Sequence, residues 1–380
     1  MQRLVAEGYE VSIRSNHLVI GHVPYLDASG EVQLGELVSE LNVTGDRTTR
    51  PDPHTVFFTG VPHYAAAQPF HQIIASIGAQ EVLPGLTANS YLSTKPGTGY
   101  YENYYDKMTQ YVRLIAGRAR TVDPEATART FRPIRTDTDE SPFVYLDSAS
   151  ARARISDLSQ RLAVGPVGII GLGGTGSYIL DFVAKTPVPA IHLWDPDVFL
   201  AHNAFRAPGA ATLDQLNERK KKVDYFAEVY SAMHRGIIPH AESINEDNLA
   251  VLTGLDFVFV AIDTGPTKRL IIEWLIQNGI PLIDVGMGVN RQKDALGGIV
   301  RATTVTPSSS DHVSRRISFG DEQNDEYERN IQLADLNALN AALAVIKWKK
   351  LKGFYRDDLD EAHTTYTVAA GQLTNSEIPG

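Results

Sequence analysis

The sequence predicts an α/β protein in which a smaller α+β domain precedes a second domain built on a mixed β-sheet. At residues 167–185 a short apolar run passes through a glycine-rich turn into a helical pattern. Strand and helix patterns alternate after that point, which is typical of parallel strands covered by helices. Residues 1–120 show a different, mixed pattern, and this difference indicates a separate domain.

The first domain, residues 1–120, is predicted to combine strands with short helices. Alternating apolar residues predict a strand at Tyr9–Ile13, while helical spacing predicts helices at Phe70–Ile77 and Tyr104–Arg118. No chemical motif stands out, and the histidines fit no spacing of metal ligands. We expect an α+β domain of undefined role, for which partner binding is one possibility.

Residues 121–142 are rich in Arg, Thr, Asp, Glu and Pro and poor in apolar residues, so they are predicted to form a linker. The second domain then spans residues 143–380 and opens with a predicted helix at 149–162.

The second domain is predicted from a regular succession of elements. The predicted strands lie at residues 167–170, 190–194, 237–238, 255–262, 280–285, 297–305 and 364–368. The predicted helices lie at residues 177–185, 214–233, 267–278 and 331–351.

Composition excludes several classes of function. The formal net charge of −10 argues against a nucleic-acid partner, because phosphate binding depends on Lys and Arg. No run of about twenty apolar residues predicts a membrane span, and the first residues lack the apolar core of a signal peptide, so we expect a cytoplasmic protein. The chain has 0 cysteines, which excludes disulfides, cysteine-bound zinc and a thiolate nucleophile.

The glycine-rich turn predicts a nucleotide site. It contains Gly171, Gly173, Gly174 and Gly176 between the apolar strand and the helix. Such a turn lets the backbone bend sharply and approach a phosphate at the start of a helix. By itself it serves NAD, FAD or ATP equally well.

Polar residues after the next strand narrow the choice among these nucleotides. Asp195 follows that strand, where a carboxylate can accept hydrogen bonds from ribose, and this fits NAD as well as ATP. Asn203, Arg206 and Lys222 add an amide and two cations, which suit a triphosphate attacked at its α-phosphorus. Asp263 ends a buried strand at the same sheet edge and is a candidate ligand of Mg²⁺.

These motifs, in this order, resemble those of the ThiF/MoeB/E1 superfamily, the ubiquitin-activating-like adenylyltransferases. The resemblance covers residues 145–350 and implies a Rossmann-like adenylation domain. It further implies ATP-dependent adenylation of the C-terminal glycine of a ubiquitin-like or sulfur-carrier-like protein, with release of pyrophosphate. The extra N-terminal domain resembles a bacterial class associated with ubiquitin-like conjugation.

The resemblance also assigns roles to residues. The four glycines and Asn203, Arg206 and Lys222 would bind the ATP phosphates, Asp195 with Asp197 would lie at the ribose, and Asp263 would hold Mg²⁺. In the family an arginine from the second subunit completes the site, and Arg152 or Arg154 matches its place. We therefore expect a homodimer.

Three departures from the family pattern shape the expected activity. Ala207 stands where the family has a glutamine, and the cysteine pairs that hold structural zinc are missing, so we expect no zinc. Because no cysteine can form a thioester, the reaction should stop at the adenylate. The product would pass directly to a small nucleophile or another protein, including an E2-like partner bound by the first domain.

Two other interpretations stay open. A NAD-dependent oxidoreductase would explain the glycines and Asp195, but it leaves the downstream cations without a joint purpose. A non-catalytic scaffold in a conjugation system would explain the altered residues.

Single positions also have a purely structural alternative. Asp197 could serve simply as the cap of a turn, and Asn203 could serve simply as a hydrogen-bond acceptor for its own loop backbone. The acidic run 321–328 falls where the family has a loop over the substrate tail.

Overall fold

The computed structural model of the protein describes residues 1–44, 47–134, 141–153, 155–263, 265–320 and 331–377. The chain divides into two compact units: Met1–Arg135 with Tyr145–Ser156, and Thr136–Val144 with Asp157–Gly380. The predicted linker therefore falls on both units. Its residues up to 135 belong to the first, where the Phe131 amide donates to the Gly8 carbonyl.

The first unit is built on an antiparallel sheet of six strands in the order β1-β2-β3-β6-β10-β9. Its strands are β1 (Val11–Arg14), β2 (His17–Leu26), β3 (Val32–Glu40), β4 (Val43–Thr44), β5 (Arg47–Thr48), β6 (Val56–Phe58), β7 (His63–Ala65), β8 (Gln68–Pro69), β9 (Ile74–Leu83) and β10 (Leu86–Leu92). Its helices are α1 (Gln2–Ala6), α2 (Tyr104–Ala119) and α3 (Ser148–Ala153).

Helix α2 closes the core of the first unit. Asn103 caps its start, because the side-chain oxygen accepts a hydrogen bond from the Asp106 amide at 2.9 Å. The buried face of α2 carries Met108, Tyr111 and Ile115, which pack in one apolar cluster with residues of β1, β2 and β3. Helix and sheet thus bury their apolar faces against each other.

The second unit is built on a mixed sheet of eight strands in the order β13-β12-β11-β14-β15-β16-β17-β18. Its strands are β11 (Val167–Ile170), β12 (Ile191–Trp194), β13 (Ile237–His240), β14 (Phe257–Val260), β15 (Leu282–Gln292), β16 (Ala295–Val305), β17 (His363–Thr367) and β18 (Gln372–Ser376). Its helices are α4 (Ser156–Gln160), α5 (Gly174–Val183), α6 (Ala201–Ala204), α7 (Leu213–Asn217), α8 (Lys222–Ser231), α9 (Pro266–Gln277), α10 (Val313–Arg316) and α11 (Ala334–Leu351).

In the order of the sheet, the five neighbouring strands β13, β12, β11, β14 and β15 run parallel to one another. The remaining pairs, from β15 through β16 and β17 to β18, are antiparallel. Alternate residues of β11 point into two separate apolar clusters. Ile169 packs with α5, α8 and α11, whereas Ile170 packs with α9. The sheet is therefore covered by helices on both faces, and the predicted α/β class with a mixed sheet and a preceding α+β unit is confirmed.

Three predicted helices differ from the structure. The segment predicted as helix at 70–77 enters strand β9 at Ile74, because Ile74 pairs with Leu92 of β10. The predicted helix 214–233 is interrupted between α7 and α8, where Arg219 has a φ of 51° and the Lys220 carbonyl accepts from the Phe199 amide. The predicted helix 149–162 is two short helices, α3 and α4.

Among the described residues, no helix combines the length and the apolar character that a membrane span needs.

Candidate nucleotide-binding site

The strand order brings three strand ends together at the start of α5. Ile170, the last residue of β11, is paired with Trp194 of β12 on one side and with Val260 of β14 on the other. The chain leaves β11 for β12 in one direction and reaches β14 in the other, so the carboxyl end of β11 lies at a switch in strand order. Ligands of open α/β sheets bind in the crevice at such a switch.

The four glycines of the turn have different reasons to lack a side chain. Gly171 has a φ of 91°, and a Cβ there would lie 2.5 Å from the Ala261 carbonyl oxygen. A Cβ at Gly174 would lie 2.0 Å from Nδ2 of Asn337, and one at Gly176 would lie 1.9 Å from the Gly171 oxygen. These three glycines permit the turn and its packing.

Gly173 is different because a Cβ there would meet no described protein atom within 4 Å. It is also the cap residue of α5, and it offers no side chain to the first amides of the helix. An open approach to a helix start is where a phosphate can come close to the backbone. Of the four glycines, Gly173 is thus the one whose small size leaves room for a ligand.

Asp195 is buried and bound by protein donors. Its Oδ2 accepts from the Leu172 amide of the glycine turn at 2.7 Å, and its Oδ1 accepts from the Asp197 amide at 2.9 Å. The Lys222 ammonium lies 3.3 Å from this carboxylate. Asp195 therefore ties the turn to the end of β12, and its contact with ribose stays a prediction.

Lys222, the first residue of α8, joins two carboxylates. Its Nζ donates to Asp197 Oδ2 at 2.7 Å in addition to its contact with Asp195. The Asp197 side chain is 66% exposed, whereas the Lys222 side chain is 7% exposed. Asp197 consequently offers the accessible carboxylate of this group, and the group carries two negative charges against one positive charge.

Asn203 and Arg206 lie on and just after α6. The Asn203 side-chain oxygen accepts from the Leu200 amide at 2.9 Å, which is the local loop contact considered as an alternative from the sequence. Arg206 has a buried Nε without a hydrogen-bond partner among the described residues. A buried donor without an acceptor costs free energy. Among the residues of this group, Arg206 is therefore the one whose side chain would gain most from an anionic ligand. Ala207 packs in the apolar core.

Asp263 follows β14 and is exposed. Two residues before it, the Ala261 amide donates to the Ile170 carbonyl at 2.8 Å, so the segment leaves the sheet beside the glycine turn. Within the described ranges, no group of three or more His, Cys, Asp and Glu side chains could hold a metal ion by itself. A metal at Asp263 would need ligand oxygens from elsewhere, as Mg²⁺ often takes from substrate phosphates.

Sequence reasoning missed Asn337, a fully buried residue of α11. Its side-chain oxygen accepts from Thr175 Oγ1 at 2.9 Å, and its Nδ2 lies 3.4 Å from the Arg206 carbonyl oxygen. One side chain thus joins the first turn of α5 to the loop that carries Arg206. The available signal was a pair of asparagines, Asn337 and Asn340, three residues apart on the face of α11 that also buries Ala341 and Ala344.

Two further predictions concern residues outside this group. Arg152 is exposed at the end of α3 in the first unit, and Arg154 lies outside the described residues. The acidic run 321–328 also lies outside the described residues. The proposed action of Arg152 or Arg154 across a dimer stays a prediction.

Sequence comparison identifies both parts of the chain. Residues 148–332 match the ThiF family, and residues 1–148 match a domain of unknown function, DUF6791. The chain carries a ThiF-family domain. The resemblance predicted from the glycine turn and the downstream polar residues is confirmed at the level of the ThiF family.

Several solved structures are similar to part of the chain. PaaA, in its selenomethionine form, is 17% identical with a TM-score of 0.45, covering 59% of this chain and 76% of PaaA. Escherichia coli MccB with MccA-N7isoASN is 19% identical with a TM-score of 0.49, covering 60% and 69%. MccB with ATP is 18% identical with a TM-score of 0.45, covering 60% and 69%.

Across the MccB structures, the share of MccB that is covered lies between 64% and 70%. No curated protein matches the chain in sequence.

Proposed function

We propose that the ThiF domain binds ATP at the turn between β11 and α5 and uses it to adenylate the C-terminal glycine carboxylate of a ubiquitin-like or sulfur-carrier-like protein. The observation that carries this proposal is the pairing of two features at one strand switch. Gly173 faces open space at the start of α5, and Arg206 has a buried Nε without a partner among the described residues. An anionic ligand with several oxygens would satisfy both.

The reaction is an in-line displacement at the α-phosphorus of ATP. A carboxylate oxygen of the protein substrate bonds to this phosphorus, and the bond to the oxygen that bridges to the β-phosphorus breaks, so that pyrophosphate leaves. The chain does no covalent work: it aligns the reactants, neutralises charge and keeps water from the mixed anhydride.

The described residues divide this task. Arg206 donates its Nε to phosphate oxygens, and Lys222 adds an ammonium beside them. Asp197 offers its exposed carboxylate to the ribose hydroxyls, a role that is also predicted for Asp195. The Asn203 amide is assigned to the phosphates. With 0 cysteines the chain cannot take the acyl group as a thioester, so the adenylate is its final product.

Asp263 fits the role of a single protein ligand for Mg²⁺, since it is an exposed carboxylate beside the glycine turn. Mg²⁺ would supply charge neutralisation on the triphosphate. The homodimer completed by Arg152 or Arg154, and an E2-like partner held by the first unit, belong to the same proposal.

The test is ATP–pyrophosphate exchange with Mg²⁺ and candidate ubiquitin-like proteins, each intact and without its terminal glycine. We expect exchange only with one intact carrier. Arg206→Ala and Asp263→Ala should each lower it at least 100-fold, the scale typical of losing one preorganised charge contact. Lys220→Ala, which removes a partly exposed lysine paired with Glu218 and Glu228, should leave exchange within a factor of two.

Other outcomes would contradict the proposal. ATP binding without exchange for any carrier would favour the scaffold interpretation. A thermal shift with NAD and none with ATP would favour the oxidoreductase. Full activity of Asp263→Ala would remove this residue as the metal ligand.

A further inference from the structure

A cluster of three charged side chains, two of them buried and one partly exposed, lies behind the end of β14. Lys268 of α9 places its Nζ 2.5 Å from Oδ1 of Asp284 in β15, and these side chains are 1% and 0% exposed. Arg301 of β16 donates from Nη1 to Oδ2 of the same Asp284 at 2.7 Å. Breaking such a group leaves an unpaired buried charge, yet apolar side chains of similar volume often stabilise a core equally well. Its presence therefore suggests a task besides stability.

The cluster reaches the segment that carries the candidate metal ligand. Nζ of Lys268 lies 3.4 Å from the carbonyl oxygen of Ile262, the residue directly before Asp263. Burial lowers the pKa of Lys268, whereas the Asp284 and Asp263 carboxylates act to raise it. The carbonyl group directly before Asp263 thus accepts from the Lys268 ammonium.

Charge counting shows why Asp263 matters to the cluster. Lys268 and Arg301 bring two positive charges, and Asp284 brings one negative charge, which leaves one positive charge in excess. Asp263 lies at the only described strand end that Lys268 contacts through a carbonyl oxygen. A fixed positive charge attracts a nearby carboxylate and so restricts its orientation.

We propose that Lys268 is a positioning residue for Asp263, held in place by Asp284 and Arg301. The proposal rests on the proposed function, since it assigns to Asp263 the role of metal ligand for ATP. Lys268 anchors the Ile262 carbonyl and supplies the charge that fixes the Asp263 carboxylate before the metal arrives. Asp284 fixes Lys268, and Arg301, which also donates to the Arg316 carbonyl at 3.2 Å, fixes Asp284.

The chain offers a matched control in a second buried lysine. Lys347 of α11 is 5% exposed and lies 3.3 Å from the Glu361 carboxylate, itself 6% exposed. Lys347→Gln therefore removes a buried lysine from an ion pair of the same unit, as Lys268→Gln does. Among the described residues, Lys347 donates to the carbonyl oxygen and the carboxylate of Glu361, which lies in the segment before β17 and not at the end of β14.

Two readouts test the proposal. In the ligand-free protein, amide hydrogen exchange of residues 257–263 should be at least 10-fold faster in Lys268→Gln than in the wild type. In the loaded enzyme, the Mg²⁺ concentration for half-maximal pyrophosphate exchange should rise at least 10-fold, while ATP binding in EDTA stays within threefold. Lys268→Arg should recover most of both effects, because it keeps the charge.

Wild-type values for both readouts in Lys268→Gln, or equal effects in Lys347→Gln, would overturn the proposal. If Lys268→Gln does not fold, Asp284→Asn provides the second variant, and it should change both readouts in the same direction. If the wild type shows no pyrophosphate exchange at all, the proposed function has failed. The hydrogen-exchange comparison then still decides whether Lys268 fixes the segment before Asp263.

Discussion

At the scale of single residues, the glycine turn separates ligand contact from packing. Three of its glycines are required by the protein's own atoms, since a Cβ at Gly171, Gly174 or Gly176 would lie 2.5 Å or less from a neighbour. Gly173 alone among them has no described protein atom within 4 Å of the place where a Cβ would lie. A glycine motif in a sequence does not show this division, because all four positions have the same letter.

Gly173→Ala should therefore separate binding from stability. Its backbone already has φ −70°, which alanine accepts, so the free energy of unfolding should change by less than about 1 kcal/mol. Its Cβ would occupy the approach to the start of α5, so we expect ATP affinity to fall at least 10-fold by calorimetry. Gly176→Ala is the counterpart: it should lose at least about 2 kcal/mol of stability through its clash with the Gly171 oxygen. A stable Gly176→Ala, or tight ATP binding by Gly173→Ala, would contradict this division.

At the scale of elements, α11 supports the nucleotide turn from behind. Helices α5 and α11 pack together in one apolar cluster, and Asn337 makes the polar contacts at their junction. Asn340, one turn later, donates to the Gly286 carbonyl at 3.0 Å instead. The two asparagines are equally buried but hold different elements.

Asn337→Ala should weaken ATP binding as well as stability. It leaves Thr175 Oγ1 and the Arg206 carbonyl without this partner, and we expect a stability loss of about 2 kcal/mol from denaturant unfolding. Because the loop with Arg206 loses its attachment to α11, ATP affinity should fall about 10-fold. Asn340→Ala serves as the control, with a similar loss of stability and ATP affinity within a factor of two. Equal loss of affinity in both variants would assign the effect to general destabilisation of α11.

Local pattern predicted the elements whose core contacts follow a regular period. The strands at 167–170 and 190–194 and the helix at 104–118 lie within one or two residues of β11, β12 and α2. Local pattern failed where pairing with residues distant in the sequence determines the backbone conformation. Residues from Ile74 onward form a strand because β10 pairs with them, and the helix after residue 214 is interrupted because the chain at 198–199 pairs with 220–221.

The residues of the candidate site stay a prediction, but their places in the fold can be compared with the sequence pattern. Sequence order predicts the glycines, Asp195 and Asp263 at one sheet edge, because parallel strands end on the same side. It could not show that Asp195 is occupied by the glycine turn, or that Asn337 arrives from a helix more than 150 residues later. Both facts depend on tertiary packing, for which a single sequence carries no direct signal.

At the scale of the whole molecule, each unit has its own apolar core. The first is centred on β2, β3 and α2, and the second lies on both faces of the mixed sheet. All 3 tryptophans, Trp194, Trp274 and Trp348, belong to the second unit. Tryptophan fluorescence therefore reports the unfolding of the unit that is proposed to bind ATP.

ATP should raise the tryptophan-detected unfolding temperature without slowing amide exchange in α2 of the first unit. At 100 times its Kd, a ligand of the folded state stabilises by about 2.7 kcal/mol, which corresponds to roughly 5–10 °C for a unit of this size. Arg206→Ala should abolish this rise in unfolding temperature, because it removes the side chain that is proposed to donate to the phosphates. Lys220→Ala should retain the rise. Slowed exchange in α2 to the same degree would show that both units unfold as one cooperative body. An unchanged tryptophan transition at saturating ATP would place the nucleotide outside the ThiF domain.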